Sequence, residues 1–135
     1  MLYRIKWMFF CLSLPALMIP FTTKADFFED ISYSIESGNA NELAADFANR
    51  IELTISGEEG DYSRRQAEVV LNEFFEENDP EDFEVIHKGS SNHNARYAIG
   101  YLETSNGTYR SYVFVKENED DDDEVEIQEL RFEKE

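Results

Sequence analysis

The sequence predicts an α+β domain behind an export leader, with its helices early and its strands late. Three observations carry that prediction. Apolar residues recur at three- and four-residue spacing in two stretches ahead of Pro80, whereas beyond it they alternate with polar residues in successive runs. Ahead of both lies an apolar segment opened by basic residues, unlike anything in the rest of the chain. The 135 residues have room for one domain and not for two.

Arg4 and Lys6 open the leader, an apolar run follows from Trp7 to Phe21, and Thr23-Lys24-Ala25 places small residues at the two positions a signal peptidase inspects. Cleavage after Ala25 is expected, with a signal peptide at 1–25, a domain at 26–135 and export to the periplasm or cell envelope. An anchor helix would need roughly 20 uninterrupted apolar residues. This run is shorter and is broken by Pro15 and Pro20. Cys11, the only cysteine, follows Phe9 and Phe10 in mid-run, where lipidation would require a small residue before it and the end of the run after it. The domain beyond the leader therefore has neither disulfide nor thiolate metal site, and its core must stabilise it.

The first helix carries Phe27, Phe28, Ile31 and Ile35 on one face, and Gly38 stops it as a C-terminal cap would. Asn39 and Glu42 are spaced as a capping box for a shorter second helix holding Leu43, Ala44 and Phe47. From Arg50 to Ser56, Ile51, Leu53 and Ile55 alternate with Glu52 and Thr54, which is a half-buried strand. The stretch Gly57-Glu58-Glu59-Gly60-Asp61 is expected to be a loop; a phosphate cradle would need a lysine and amides free of negative neighbours. Ser63 and Gln66 then cap the longest helix, whose stripe is Ala67, Val70, Leu71, Phe74 and Phe75.

Four strands are expected after Pro80, at 83–89, 95–104, 108–116 and 124–132. Asn106-Gly107 between the middle pair is a hairpin signal, since both residues tolerate positive φ. Counting outward from a two-residue turn there sets Glu103 opposite Arg110, Tyr101 opposite Tyr112, Ile99 opposite Phe114 and Tyr97 opposite Lys116. That face is large and aromatic; the other, with Ala98, Gly100, Leu102, Val113 and Val115, is small. In the last strand Val125 and Ile127 have one parity and Leu130 and Phe132 the other, so one extra residue near Gln128 and Glu129 must form a β-bulge. A bulged sheet with helices on one side is concave, and a cavity can form there.

The segments Asp30 to Asn41 (DISYSIESGNAN), Leu53 to Ala67 (LTISGEEGDYSRRQA), Phe83 to Ser90 (FEVIHKGS), Tyr97 to Tyr112 (YAIGYLETSNGTYRSY) and Gln128 to Glu133 (QELRFE) are similar to an exported bacterial family of unknown function with a nuclear-transport-factor-2-like, or cystatin-like, fold. The resemblance spans the chain beyond the leader. It implies a curved antiparallel sheet wrapped around N-terminal helices as a cone, in the order α-α-β-α-β-β-β-β. It implies no activity. The wider superfamily holds isomerases, cyclases and dehydratases beside non-catalytic modules that dimerise through the sheet, and no catalytic dyad of those enzymes maps onto this chain. Fold alone does not transfer chemistry.

Charge narrows the partners. The chain has 12 Lys and Arg against 30 Asp and Glu, a net −18, and losing a leader with three bases and no acid takes it to −21 over 110 residues. Nucleic acid and anionic membrane are repelled, and an anion is expected to bind only where Arg110 or Arg131 is sheltered. Tyr101, Arg110 and Tyr112 are the candidate ligand-binding residues. The guanidinium would hold an anionic or carbonyl-bearing small molecule and the phenols would donate hydrogen bonds. The alternative for them is a structural aromatic pair with an exposed Glu103–Arg110 ion pair worth about 0.2–1 kcal/mol. Should the rings face outward, an envelope protein or a second copy is the expected partner, giving a homodimer.

An enzyme would take His87 or Glu103 as base and Tyr101 or Tyr112 as donor, in isomerase- or dehydratase-like proton transfer. His87 shares the parity of Phe83 and Val85, so a space-filling core histidine competes with that reading. His93 lies in a polar turn. The run from Glu117 to Glu126 lacks the alternating ligands and central glycine of a calcium loop. With no glycine fingerprint and no histidine-rich spacing, no cofactor is expected, and the sequence points to a non-catalytic binding module.

Overall fold

The computed structural model describes residues 27–91, 94–117 and 124–135; the leader, His93 and the run of four aspartates lie outside the described residues. Helix α1 (Phe27–Glu36) buries Phe28, Ile31, Ser34 and Ile35. Gly38 ends it at φ +65, where the Asn39 N–H returns to the Ser34 carbonyl at 2.9 Å. Helix α2 (Ala40–Ala45) starts at Asn39, whose Oδ1 accepts the Glu42 N–H at 3.0 Å. It ends two residues before the apolar spacing implies: Phe47 opens strand β1 (Phe47–Ile55) instead of closing the helix. Both placements bury Phe47, so burial alone could not separate them.

Strand β2 (Glu58–Ser63) occupies the segment expected to be a loop. Ser56 at φ 50 and Gly57 at φ 83 make a tight turn with positive φ at both central positions, and Ile55 pairs with Glu58 across it. Helix α3 (Arg64–Glu77) is capped at Ser63 by reciprocal bonds. The serine Oγ accepts the Gln66 N–H at 3.3 Å, and Gln66 Oε1 accepts the Ser63 N–H at 3.2 Å. The helix buries Ala67, Leu71, Phe74 and Phe75.

Strands β3 (Pro80–Ser91), β4 (Ala95–Thr104), β5 (Gly107–Glu117) and β6 (Val125–Lys134) complete one six-stranded sheet in the order β2-β1-β6-β5-β4-β3. The expected elements occur in the expected order, with β2 added. The sheet is mixed rather than wholly antiparallel, because the β3–β6 meander brings β6 alongside β1 in parallel.

One face of the sheet carries the core. Ile51 and Leu53 of β1, Ala98 and Leu102 of β4, Val113 and Val115 of β5, and Ile127, Leu130 and Phe132 of β6 are buried with the helix stripes. The Phe74 ring stacks on Phe132 at 5.1 Å and meets Tyr109 edge-on at 5.0 Å. The Tyr109 hydroxyl donates to Asn78 Oδ1 at 3.0 Å, and Asn78 Nδ2 donates to the Phe74 carbonyl at 3.0 Å, tying β5 to the end of α3.

Among the described residues the register shifts at four places, between Phe47 and Glu52 in β1, Pro80 and Asp82 and again Val85 and His87 in β3, and opposite Phe114 and Val115 in β6; two of these bulges decide which side chains face outward. Phe114 pairs with Glu129 and Val115 with Ile127, so Gln128 is the extra residue and Ile127, Leu130 and Phe132 share the inner face, as the phase change requires. A second bulge lies in β3, where Val85 pairs with Gly100 and His87 with Ile99, leaving Ile86 over and 52% exposed.

Candidate functional site

The hairpin decides where the candidate residues lie. Its turn sits one residue earlier than the Asn-Gly signal suggests: Thr104 pairs with Gly107, and only Gly107, at φ +119, takes positive φ. The cause is tertiary. Asn106 spends its side-chain amide on the Glu77 carbonyl, and Ser105 and Asp79 exchange bonds of 3.0 and 3.1 Å, clamping the turn to the end of α3. Every partner on β5 moves by two residues in consequence. Tyr101 faces Arg110, Ile99 faces Tyr112, Tyr97 faces Phe114, and Glu103 faces Thr108 rather than Arg110. A shift of two preserves the faces, so the aromatic set remains together.

That set points away from the helices. Ala98, Leu102, Val113 and Val115 are at most 2% exposed against the core, so Tyr101, Arg110 and Tyr112 lie on the outer face and not inside the cone. The bulge at Ile86 sends His87 outward as well, although its parity with Phe83 and Val85 had placed it on the core side. The imidazole is exposed, and its Nε2 lies 3.3 Å from the Tyr97 hydroxyl. Glu103 is also exposed. The acid–base pairs that an enzyme would need from His87 or Glu103 with Tyr101 or Tyr112 are not assembled on the inner side.

On the outer face the strands align their side chains in rows. Glu84, Tyr101, Arg110 and Glu133 form one; His87, Ile99, Tyr112 and Arg131 form the next; Tyr97, Phe114, Glu129 and Glu52 form a third. Arg110, Tyr112, Glu129, Arg131 and Glu133 line an open depression of about 500 Å³. Arg110 and Tyr112, read from the sequence, thus meet in one place, with Tyr101 directly across from Arg110 at its margin. The β6 contribution of Glu129 and Glu133 escaped sequence reasoning; pairing of β6 with β5 through the Gln128 bulge is the signal that would have found them.

An aromatic line runs beside the depression, and of its rings Tyr112 lines the depression itself. Tyr97 and Tyr112 have centroids 6.0 Å apart with planes within 28°, His87 abuts Tyr97 at 5.7 Å, and the Arg131 guanidinium lies over Tyr112 at 5.8 Å. Gly89 lets the Tyr97 ring lie close over β3, since a Cβ there would come within 2.4 Å of it. Arg131 is held from the other side by Glu129, and this bond and charge raise its already high pKa. Burial, then the Glu129 carboxylate, push the Tyr112 phenol above its ordinary value, so it is a neutral donor at physiological pH. Among the described residues Arg110 is exposed and makes no ion pair within 4 Å. The arrangement offers aromatic ring surface, one uncommitted guanidinium and carboxylate acceptors.

Residues 28–133 match the family model described as a domain of unknown function, DUF4783. Solved structures similar to the chain include a DUF4783 family protein from Bacteroides uniformis, with 24% identity and TM-score 0.74 over 82% of this chain and 98% of that one. Another, from Bacteroides fragilis, has 26% identity and TM-score 0.72 over 78% and 96% of the two chains. A domain of unknown function with a cystatin-like fold from Nostoc punctiforme follows at 16% identity and TM-score 0.62, over 84% and 80%. No curated protein matches the chain.

Proposed function

The chain belongs to the DUF4783 family of unknown function, with the nuclear-transport-factor-2-like fold, and from that premise we propose that it is an exported, non-catalytic binding module whose working surface is the outer face of its sheet. One observation carries the reading: Tyr97, Ile99, Tyr101, Tyr112 and Phe114 stand half-buried on a face that no helix among the described residues covers, beside the exposed Arg110. A ring left half-wet contributes little to the fold compared with one in the core. The inner face is taken up by core side chains, which favours the outer surface over the cone as the place where a ligand or partner meets the domain. The leader supports a working location in the periplasm or cell envelope.

Tyrosine nitration tests this without knowing the partner. In the protein purified from its host, the half-exposed Tyr97, Tyr101 and Tyr112 should react readily. In intact envelopes they should be protected, while Tyr33, 66% exposed on α1, reacts in both. Equal nitration of the sheet tyrosines in the two preparations would refute an occupied outer face.

A further inference from the structure

We propose that the ligand of the outer face is an uncharged oligosaccharide, stacked on the line from Tyr97 to Tyr112 and held at its polar end by Arg110, Arg131, Glu129 and Glu133. This rests on the reading of the outer face as the working surface and names the chemistry it would take. The line from His87 on β3 to Arg131 on β6 crosses three inter-strand steps, about 14 Å at the usual spacing. The two tyrosine planes are near-parallel, and Gly89 provides the room for the first ring to lie low over β3. A platform of this kind suits a ligand that is itself flat, with apolar C–H faces and a polar edge.

Charge selects among such ligands. Two guanidiniums and two carboxylates line the depression, so it is locally balanced within a chain of net charge −18. An anion must approach against the overall field, and a cation meets Arg110 and Arg131 on arrival. A sugar requires neither, because its hydroxyls accept from guanidinium N–H groups and donate to carboxylates, while its C–H face covers a ring. A second copy of the chain is the poorer occupant. Each copy carries the net −18, so two apposed chains would repel.

Affinity electrophoresis of the full protein, as its host makes it, against gels containing uncharged polysaccharides (a β-glucan, a starch-type α-glucan, a mannan and a xylan) tests the proposal. At least one polymer should retard the protein. Tyr112→Ala and Arg110→Ala should each weaken retardation about tenfold, the order expected for losing one stacked ring or one charge-assisted contact. Tyr112→Phe, which keeps the ring, should remain retarded, and Tyr112→Ala should keep the wild-type circular dichroism spectrum, so that its lost retardation reads a lost contact and not a lost fold. Absence of retardation by all four polymers overturns the proposal, as does equal retardation of Tyr112→Ala and wild type. Nitration protection in envelopes without polysaccharide binding would refute the sugar and leave the outer face assigned to a protein partner; absence of both would remove the outer-face reading too.

Discussion

Leu102 and Tyr101 are neighbours on β4 that point to opposite faces, and alanine substitution at each should separate the core from the outer face. Leu102 is fully buried in the helix-side cluster, and Leu→Ala at such a site costs about 2–5 kcal/mol through lost transfer free energy and the cavity left behind. Tyr101 is half-buried and has Arg110 as its cross-strand neighbour. Removing the ring there forfeits a pair interaction and some strand preference, about 1 kcal/mol in total. For a domain of roughly 110 residues, 1 kcal/mol moves the melting temperature by about 4 °C. Leu102→Ala should therefore lower the Tm by about 8–20 °C and Tyr101→Ala by about 4 °C, followed by circular dichroism in one buffer. Equal losses, or a larger loss at Tyr101, would mean that the aromatic face is core and would remove the basis for an outer working surface.

Three further outcomes follow from single contacts. Ser111 Oγ is fully buried without a hydrogen-bond partner among the described residues, so Ser111→Ala should raise stability by about 1 kcal/mol in urea unfolding; a clear loss would show that the hydroxyl is satisfied. Tyr109→Phe orphans the buried Asn78 Oδ1 and should cost about 1–2 kcal/mol, with little further loss in the Tyr109→Phe/Asn78→Ala double variant relative to Asn78→Ala alone. Burial, then Asp30 and Glu42, raise the pKa of Asp46, so the native state binds that proton more readily than the unfolded chain does. Its contribution lowers stability as pH rises from the unfolded to the folded pKa. Asp46→Asn should accordingly melt higher than wild type at pH 7, and the advantage should vanish near about pH 3, where both states are protonated; an advantage unchanged at low pH would refute the electrostatic cause.

Much of the fold was legible because local and tertiary signals agreed. Ser63 with Gln66 capped α3, Gly38 ended α1, and the apolar stripes faced the core they implied. The reading failed where a polar segment is made into structure by its neighbours. In β2, Glu58, Glu59 and Asp61 alternate with nothing apolar, yet a Ser56-Gly57 turn folds them back on β1, and Tyr62 alone of that strand's side chains packs against the core cluster. The β4–β5 turn erred in the opposite way. Asn106-Gly107 is a sound hairpin signal, but Asn106 is drawn to the end of α3, and the turn moves to suit it.

The candidate site was harder to place because a bulge leaves a plain trace in one strand and almost none in another. On β6, Ile127, Leu130 and Phe132 must all reach the core, so their spacing reveals the extra residue at Gln128. On β3 the residues after Ile86 are His87, Lys88, Gly89 and Ser90, with no apolar pattern to violate, and the phase change there is silent in the sequence. That silent change carries functional weight. With β3 in regular register, His87 would share the inner face with Phe83 and Val85, where an acid–base role could be argued; with one residue added, it joins Tyr97 on the outside. Deleting Ile86 would leave Val85 opposite Gly100 and His87 opposite Ile99 and would restore simple alternation between them, so the position of His87 depends on the pairing of β3 with β4 and not on parity along β3. Register, rather than residue type, sets which chemistry this sheet presents and to which side.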